Sequence, residues 1–148
     1  MSTPIRLQIC LFLLAVPLNL AWEVVQIRAY DFPNAGLMAD VIGCFVPSLG
    51  DGLMNLVIYW VGWFRFRDWQ WVLHPGVRGY LFMMSIGLLL AVTVEWNALY
   101  VTGSWGYSER MFVVPVLGVG ILPVLQMVVL PPVAVLLLQW VWNKKGRR

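Results

Sequence analysis

Four apolar runs, residues 7–27, 38–64, 80–100 and 113–142, decide what this chain can fold into. About 20 apolar residues cross the roughly 30 Å hydrocarbon core of a bilayer as a helix, and each run reaches that length. Inside hydrocarbon every backbone N–H and C=O needs a partner within the protein, so runs of this kind are expected to be helical. Composition points the same way. The chain is 61% hydrophobic and 11% charged, whereas soluble domains carry about 25% charged residues, and a soluble chain of 148 residues would need far more polar side chains to cover its surface. The expected fold class is all-α: one integral membrane helical domain over residues 1–148, polytopic, a four-helix bundle of four transmembrane helices with helix four broken by Gly and Pro.

Taken in order, the first run follows a short basic lead and could be mistaken for a signal peptide. Asn19-Leu20-Ala21 lacks a small-x-small cleavage pattern, and Trp22, Val24 and Val25 continue the apolar character, so it is expected to be retained. The turn after it holds Asp31, Pro33, Asn34 and Gly36. The second run is interrupted by Pro47-Ser48-Leu49-Gly50-Asp51-Gly52. Pro and paired Gly break or restart helices, which predicts a span over 49–64, a shorter interfacial or re-entrant piece over 38–46, and Asp51 near a helix start. The segment 65–79 reads as an interfacial loop with Trp69 and Trp71 at headgroup level. In the last run Pro115, Gly118, Gly120, Pro123 and Pro131-Pro132 predict an irregular or re-entrant 113–121, a helix starting near Pro123 and a kink at Pro131.

Charge sets the expected orientation. Arg6, Arg65, Arg67, Arg78, Lys144, Lys145, Arg147 and Arg148 fall on one side of four spans, and only Arg28 and Arg110 on the other. By the positive-inside rule both termini are expected to be cytoplasmic, in a bacterial-type inner membrane. The net charge of +3 is then a matter of topology, and no nucleic-acid partner is expected.

Against this background the ionisable residues inside the spans stand out, because a charge there is expensive and by default marks a functional site. Val94-Glu95-Trp96-Asn97 puts a carboxylate in the third run, followed by the polar turn Gly103-Ser104-Trp105-Gly106-Tyr107-Ser108. Glu23 and Gln26 reach a similar depth near the outer end of helix one, and Asp51 and Gln126 near the outer starts of helices two and four. Asn19 and Glu23 are spaced i, i+4, Glu23 and Gln26 i, i+3, and Asp51 and Asn55 i, i+4, so each set shares a helix face that should turn inward. Crowded carboxyls in a low-dielectric layer cannot all ionise, so at least one is expected to hold a proton. The candidate catalytic residues are Glu95, Glu23 and Asp51; the candidate binding residues are Trp22, Gln26, Trp96, Asn97, Trp105, Tyr107 and Gln126. The competing expectation is that these groups simply hydrogen-bond between helices and fix their packing.

Other signals carry less. Gly118-Val119-Gly120 lacks the preceding strand and the lysine of a phosphate loop. His74, the only histidine, lies in the basic loop on the other side from the carboxylates, so no Ser/His/Asp set can form. Cys10 and Cys44 are expected at different depths and make no metal motif. No metal or cofactor is assigned.

At Trp22-Glu23, Gly50-Asp51, Glu95-Trp96, Trp105-x-Tyr107-Ser108-x-x-Met111 and Gly118-x-Gly120-x-x-Pro123-x-x-Gln126 the chain resembles a family of small, uncharacterised four-helix bacterial membrane proteins. That resemblance covers most of the chain, implies the four-helix fold and brings no activity. Gly103-x-Trp105-x-Tyr107, after an acidic helix three and before a Gly/Pro helix start, is also similar to the lycopene-cyclase domain of carotenoid-forming enzymes. There the next helix opens with a Pro-x-Glu-Glu motif; here Pro123-Val124-Leu125-Gln126 carries no acid.

Two functions are therefore expected to compete. One is a module that binds or acts on an isoprenoid or other lipid, with a protonated carboxyl such as Glu95 as donor and Trp96 or Trp105 packed along an apolar ligand. The other is a non-catalytic structural or accessory subunit of a membrane protein complex. Transport would use the same carboxylates but normally needs inverted repeats and access from both faces, and the sequence offers neither.

Overall fold

A computed structural model describes residues 3–32 and 36–145. Pro33, Asn34, Arg147 and Arg148, named above, lie outside the described residues. Helix α1 (Thr3–Gln26) runs into a 3₁₀ turn, Ile27–Ala29; α2 is Leu37–Phe66; a second 3₁₀ turn, Trp71–Leu73, leads to α3 (Gly76–Trp96), which ends in a π-helical turn, Asn97–Thr102. Strands β1 (Val113–Val114) and β2 (Val119–Gly120) pair antiparallel with Val113 opposite Gly120, and α4 is Ile121–Lys145. Four helical segments, Thr3–Ala29, Met38–Phe66, Gly76–Thr102 and Ile121–Lys144, are long and apolar enough to cross a membrane. The protein is a multi-pass, all-α membrane protein.

Lipid tails are as apolar as leucine, so membrane helices associate by close packing at small residues rather than by hydrophobic drive. Gly52 of α2 lies so near α1 that a Cβ there would come within 2.7 Å of Val16 and 2.9 Å of Phe12. Gly87 lets α3 press directly on the α4 backbone. As a result α2 lies along α1 and α3 along α4, whereas α2 touches α3 only lightly. Leu7, Leu11, Met83, Val135 and Leu138 fill the centre.

One end of the bundle is filled by aromatic rings. Trp71 is only 4% exposed and its Nε1 donates to the Tyr59 carbonyl at 3.0 Å. Its ring lies over Gly62 and meets Phe66 and Phe82 at centroid distances of 5.2 and 6.1 Å. Trp71, in the segment expected to be an interfacial loop, is thus turned into the protein. Once the indole N–H finds a backbone acceptor, nothing ties the ring to water, and it covers apolar surface instead.

Helix two also departs from expectation: it is one continuous helix through Pro47, with no break and no re-entrant piece. In hydrocarbon a broken helix would expose unpaired backbone groups, which costs more than the single bond Pro47 removes. The turn beside Pro47 is supported by Ser48 Oγ, which donates to the Cys44 carbonyl at 2.6 Å. Asp51 therefore sits at mid-helix rather than near a start. The fourth run does divide. Val113–Gly120 folds as a hairpin whose turn places Gly118 at φ +66, a region that favours glycine, and α4 follows with Pro123 in its first turn.

Candidate functional site

The site begins with two connecting segments paired side by side. Asp31 N donates to Gly106 O and Ser108 N to Ala29 O, both at 3.0 Å, while Ser108 Oγ donates to Arg28 O at 3.0 Å. Tyr30 and Tyr107 consequently stand opposite each other in a bridge, with ring centroids 5.6 Å apart. Both point at Glu95, which the last α-helical turn of α3 presents inward at 5% exposure.

Three donors converge on that carboxyl. Tyr30 Oη donates to Oε1 at 3.1 Å, and Tyr107 Oη and Trp105 Nε1 donate to Oε2 at 2.5 and 3.3 Å. Tyr107 Oη in turn accepts the Gly120 N–H at 2.7 Å, which couples the hairpin to Glu95. Burial, reinforced by the Glu95 charge, pushes the Tyr30 hydroxyl well above its usual range; burial and the hydrogen bond to Glu95 do the same for Tyr107. Both hydroxyls stay protonated and act as donors. The carboxyl expected to act as proton donor lies at the centre of these three hydrogen bonds.

A second network is built around Gln126 of α4. Its Nε2 lies 3.0 Å from Asn19 Oδ1, 3.1 Å from Glu23 Oε1 and 2.8 Å from Asp51 Oδ2, so one amide joins α4 to α1 and α2. Its Oε1 accepts from Gln26 Nε2 at 2.8 Å, and Gln26 Nε2 also lies 3.0 Å from Glu23 Oε1.

Both networks border one cavity of about 580 Å³ between α2 and the α3–α4 pair. On α2 its wall includes Ala39, Gly43, Pro47 and Gly50, one turn apart and small, with Cys44 and Met54 beside them. A Cβ added at Gly43 or Gly50 would meet nothing within 4 Å. Glu23, Asp51, Glu95 and Gln126 line the polar end, and Tyr30, Phe32 and Trp105 an aromatic side. Val46, 72% exposed, belongs to the rim and faces out of the bundle.

Of the residues singled out from sequence, the structure brings Glu23, Asp51, Glu95, Trp105 and Gln126 to the cavity, with Gln26 and Tyr107 supporting them from behind. Three are not part of its wall. Trp22 lies on the flank of α1 and donates to Gln26 Oε1 at 3.0 Å. Trp96 is 52% exposed and pairs with Tyr100, and Asn97 is exposed on the π-helical turn. The reason is rotation: successive helical residues turn by about 100°, so with Glu95 inward its next two neighbours point away.

Sequence reasoning missed Tyr30 and Asp40. Asp40 pairs with Arg28 and lies on the cavity wall; an acid inside an apolar run was a readable signal for it. Tyr30 had none, because its role depends on the pairing of two distant segments. Among the described residues no group of three or more His, Cys, Asp or Glu is placed to hold a metal, and Cys10 and Cys44 are free thiols.

Glu95→Gln puts an NH₂ where one acceptor oxygen faces O–H and N–H donors. It is expected to lower stability by about 1–3 kcal/mol, the usual consequence of an unmatched buried polar group. Tyr107→Phe, which removes a donor to Glu95 and the acceptor of the Gly120 N–H, should cost at least as much. Thermal unfolding in mild detergent measures both, and unchanged midpoints would show that the network contributes nothing.

Fold and site together define a class: small multi-pass helical membrane proteins with an acid-ended cavity inside the bundle. No protein-family model, curated protein or solved structure matches the chain.

Proposed function

We propose that this protein binds a membrane-dissolved apolar molecule, an isoprenoid or another lipid, in the cavity between α2 and the α3–α4 pair. The observation that carries the reading is a cavity of about 580 Å³ with small apolar residues along one wall and carboxyls at one end. Pockets for small ligands combine these two elements, apolar surface for affinity and a few polar groups for orientation. Glu23 and Asp51 meet the ligand's polar end, Tyr30 and Trp105 flank it, and Glu95 is held fixed by its three donors. The similarity of the Gly103-x-Trp105-x-Tyr107 segment to an isoprenoid-handling domain supports the same class of ligand.

Native mass spectrometry of the protein in mild detergent tests this, with Gly43→Phe as the comparison. The wild type should retain a small apolar molecule, and the variant, whose ring enters open space, should lose it with its thermal midpoint intact. A wild type that carries nothing and takes up no added isoprenoid would remove the reading.

One observation favours the accessory-subunit reading, namely that Gln126 alone ties three helices together. Under that reading a membrane protein, rather than a small molecule, accompanies the purified chain, and Gly43→Phe leaves that association unchanged.

We further propose the inner membrane as the location, with both termini cytoplasmic, on the strength of the eight-to-two division of basic residues. Reporter fusions after Arg148 and within residues 103–108 should report opposite sides. Both on the same side would refute the orientation.

A further inference from the structure

We propose that the polar end of the ligand is a cation, an amine or quaternary ammonium carried on an apolar body. This rests on the binding reading above and narrows it.

Among the described residues the cavity wall contains Glu23, Asp40, Asp51 and Glu95 and no Lys, Arg or His. Arg28 is the basic side chain at its edge, and its guanidinium is paired with Asp40. Glu95 has its three protein donors. Glu23 and Asp51 are supplied differently. Three oxygens, from Asn19, Glu23 and Asp51, lie within 3.1 Å of the Gln126 Nε2, and that nitrogen carries only two hydrogens. The carboxyls of Glu23 and Asp51 also hydrogen-bond each other, which takes one proton shared between them, and no basic side chain of the described residues pairs with either. The pair therefore keeps a negative charge that the protein does not neutralise on the side that faces the cavity.

An anionic headgroup would add to that charge, and a neutral one would leave it standing. A cation offsets it, supplying the positive charge that no basic residue brings to the Glu23–Asp51 pair. The aromatic side agrees: Tyr30 and Phe32 stack at 6.0 Å, and Trp105 meets Tyr30 edge-on at 6.3 Å. Aromatic faces beside carboxylates are the usual means of holding alkylammonium groups. With small residues on the opposite wall and an exposed Val46 at the rim, the apolar body lies along α2 while its charged end reaches Glu23 and Asp51.

The experiment uses one tail with three heads: farnesyltrimethylammonium, farnesol and farnesyl phosphate. Equilibrium dialysis against the full-length protein in nanodiscs, with binding to empty nanodiscs subtracted, gives three affinities. The ammonium compound should bind at least about tenfold tighter than farnesol, with the phosphate weakest. That preference should vanish in Glu23→Gln/Asp51→Asn. Farnesol or the phosphate binding as well as the ammonium compound would overturn the cation assignment and leave the lipid-binding reading standing. A preference that survives in the double variant would overturn the assignment to these two acids. No binding of any of the three above empty nanodiscs would bring down both readings. Because the comparison of headgroups is made on the wild type, it stands even if the double variant fails to fold.

Discussion

Replacing Gly87 with alanine should pull α3 away from α4 and cost the protein most of its stability. The added Cβ would overlap the Met127 carbonyl oxygen and lie 2.9 Å from its carbon. Overpacking a core side chain costs about 1–3 kcal/mol because the neighbours turn to other rotamers. Backbone has no such freedom, so here the helices themselves must separate. The loss should therefore exceed that range and appear as aggregation or a much lower unfolding midpoint in detergent. Gly43→Ala is the matched control: same chemistry, also mid-helix, but with open space at the new Cβ. There alanine should be neutral or gain about 0.5–1 kcal/mol from its better helix propensity. Equal behaviour of the two variants would mean that the α3–α4 contact is not as described.

Gln126→Leu should be the second severe change. It removes the hydrogen-bond donor shared by Asn19, Glu23 and Asp51 and the acceptor of Gln26 Nε2. An average interhelical hydrogen bond between membrane helices contributes only about 0.6 kcal/mol, because the separated helices find other partners. That average understates this case. Two of the groups left behind are carboxyls, and abandoning one side of a buried polar pairing costs about 3 kcal/mol. Denaturant titration of wild type and variant in the same mixed micelles measures the difference. A change below about 1 kcal/mol would show that the amide is replaceable, by water for example.

Much of the architecture was legible because hydrocarbon leaves so few options. Four runs of sufficient length had to be helices, and the Gly/Pro signals before Pro123 marked the start of α4. The same kind of signal misled at Pro47, Gly50 and Gly52. There the small residues serve packing, Gly52 against α1, and the open wall of the cavity, Gly50 facing empty space. Depth along the spans was enough to bring Glu23, Glu95 and Gln126 to one layer, since depth follows from position in a run; Asp51 joins them from the middle of α2, not from the helix start expected near Gly50. Facing was not: Trp96 and Asn97 adjoin Glu95 in sequence and point elsewhere. Tyr30 and Trp71 were out of reach for a different reason. The first depends on the pairing of two distant segments, the second on an indole N–H finding the Tyr59 carbonyl across a turn.

The aromatic plug at Trp71 has a bearing on traffic across the bilayer. The cavity is hollow toward the hairpin end, whereas the opposite end is closed by rings seated against Gly62 and Phe82. A molecule inside would have to lever Trp71 off a glycine backbone and break its bond to Tyr59 to continue through. Exchange with one leaflet requires no such step. On the proposed reading the bundle is a vessel with one mouth, holding and returning its contents rather than passing them from one compartment to the next.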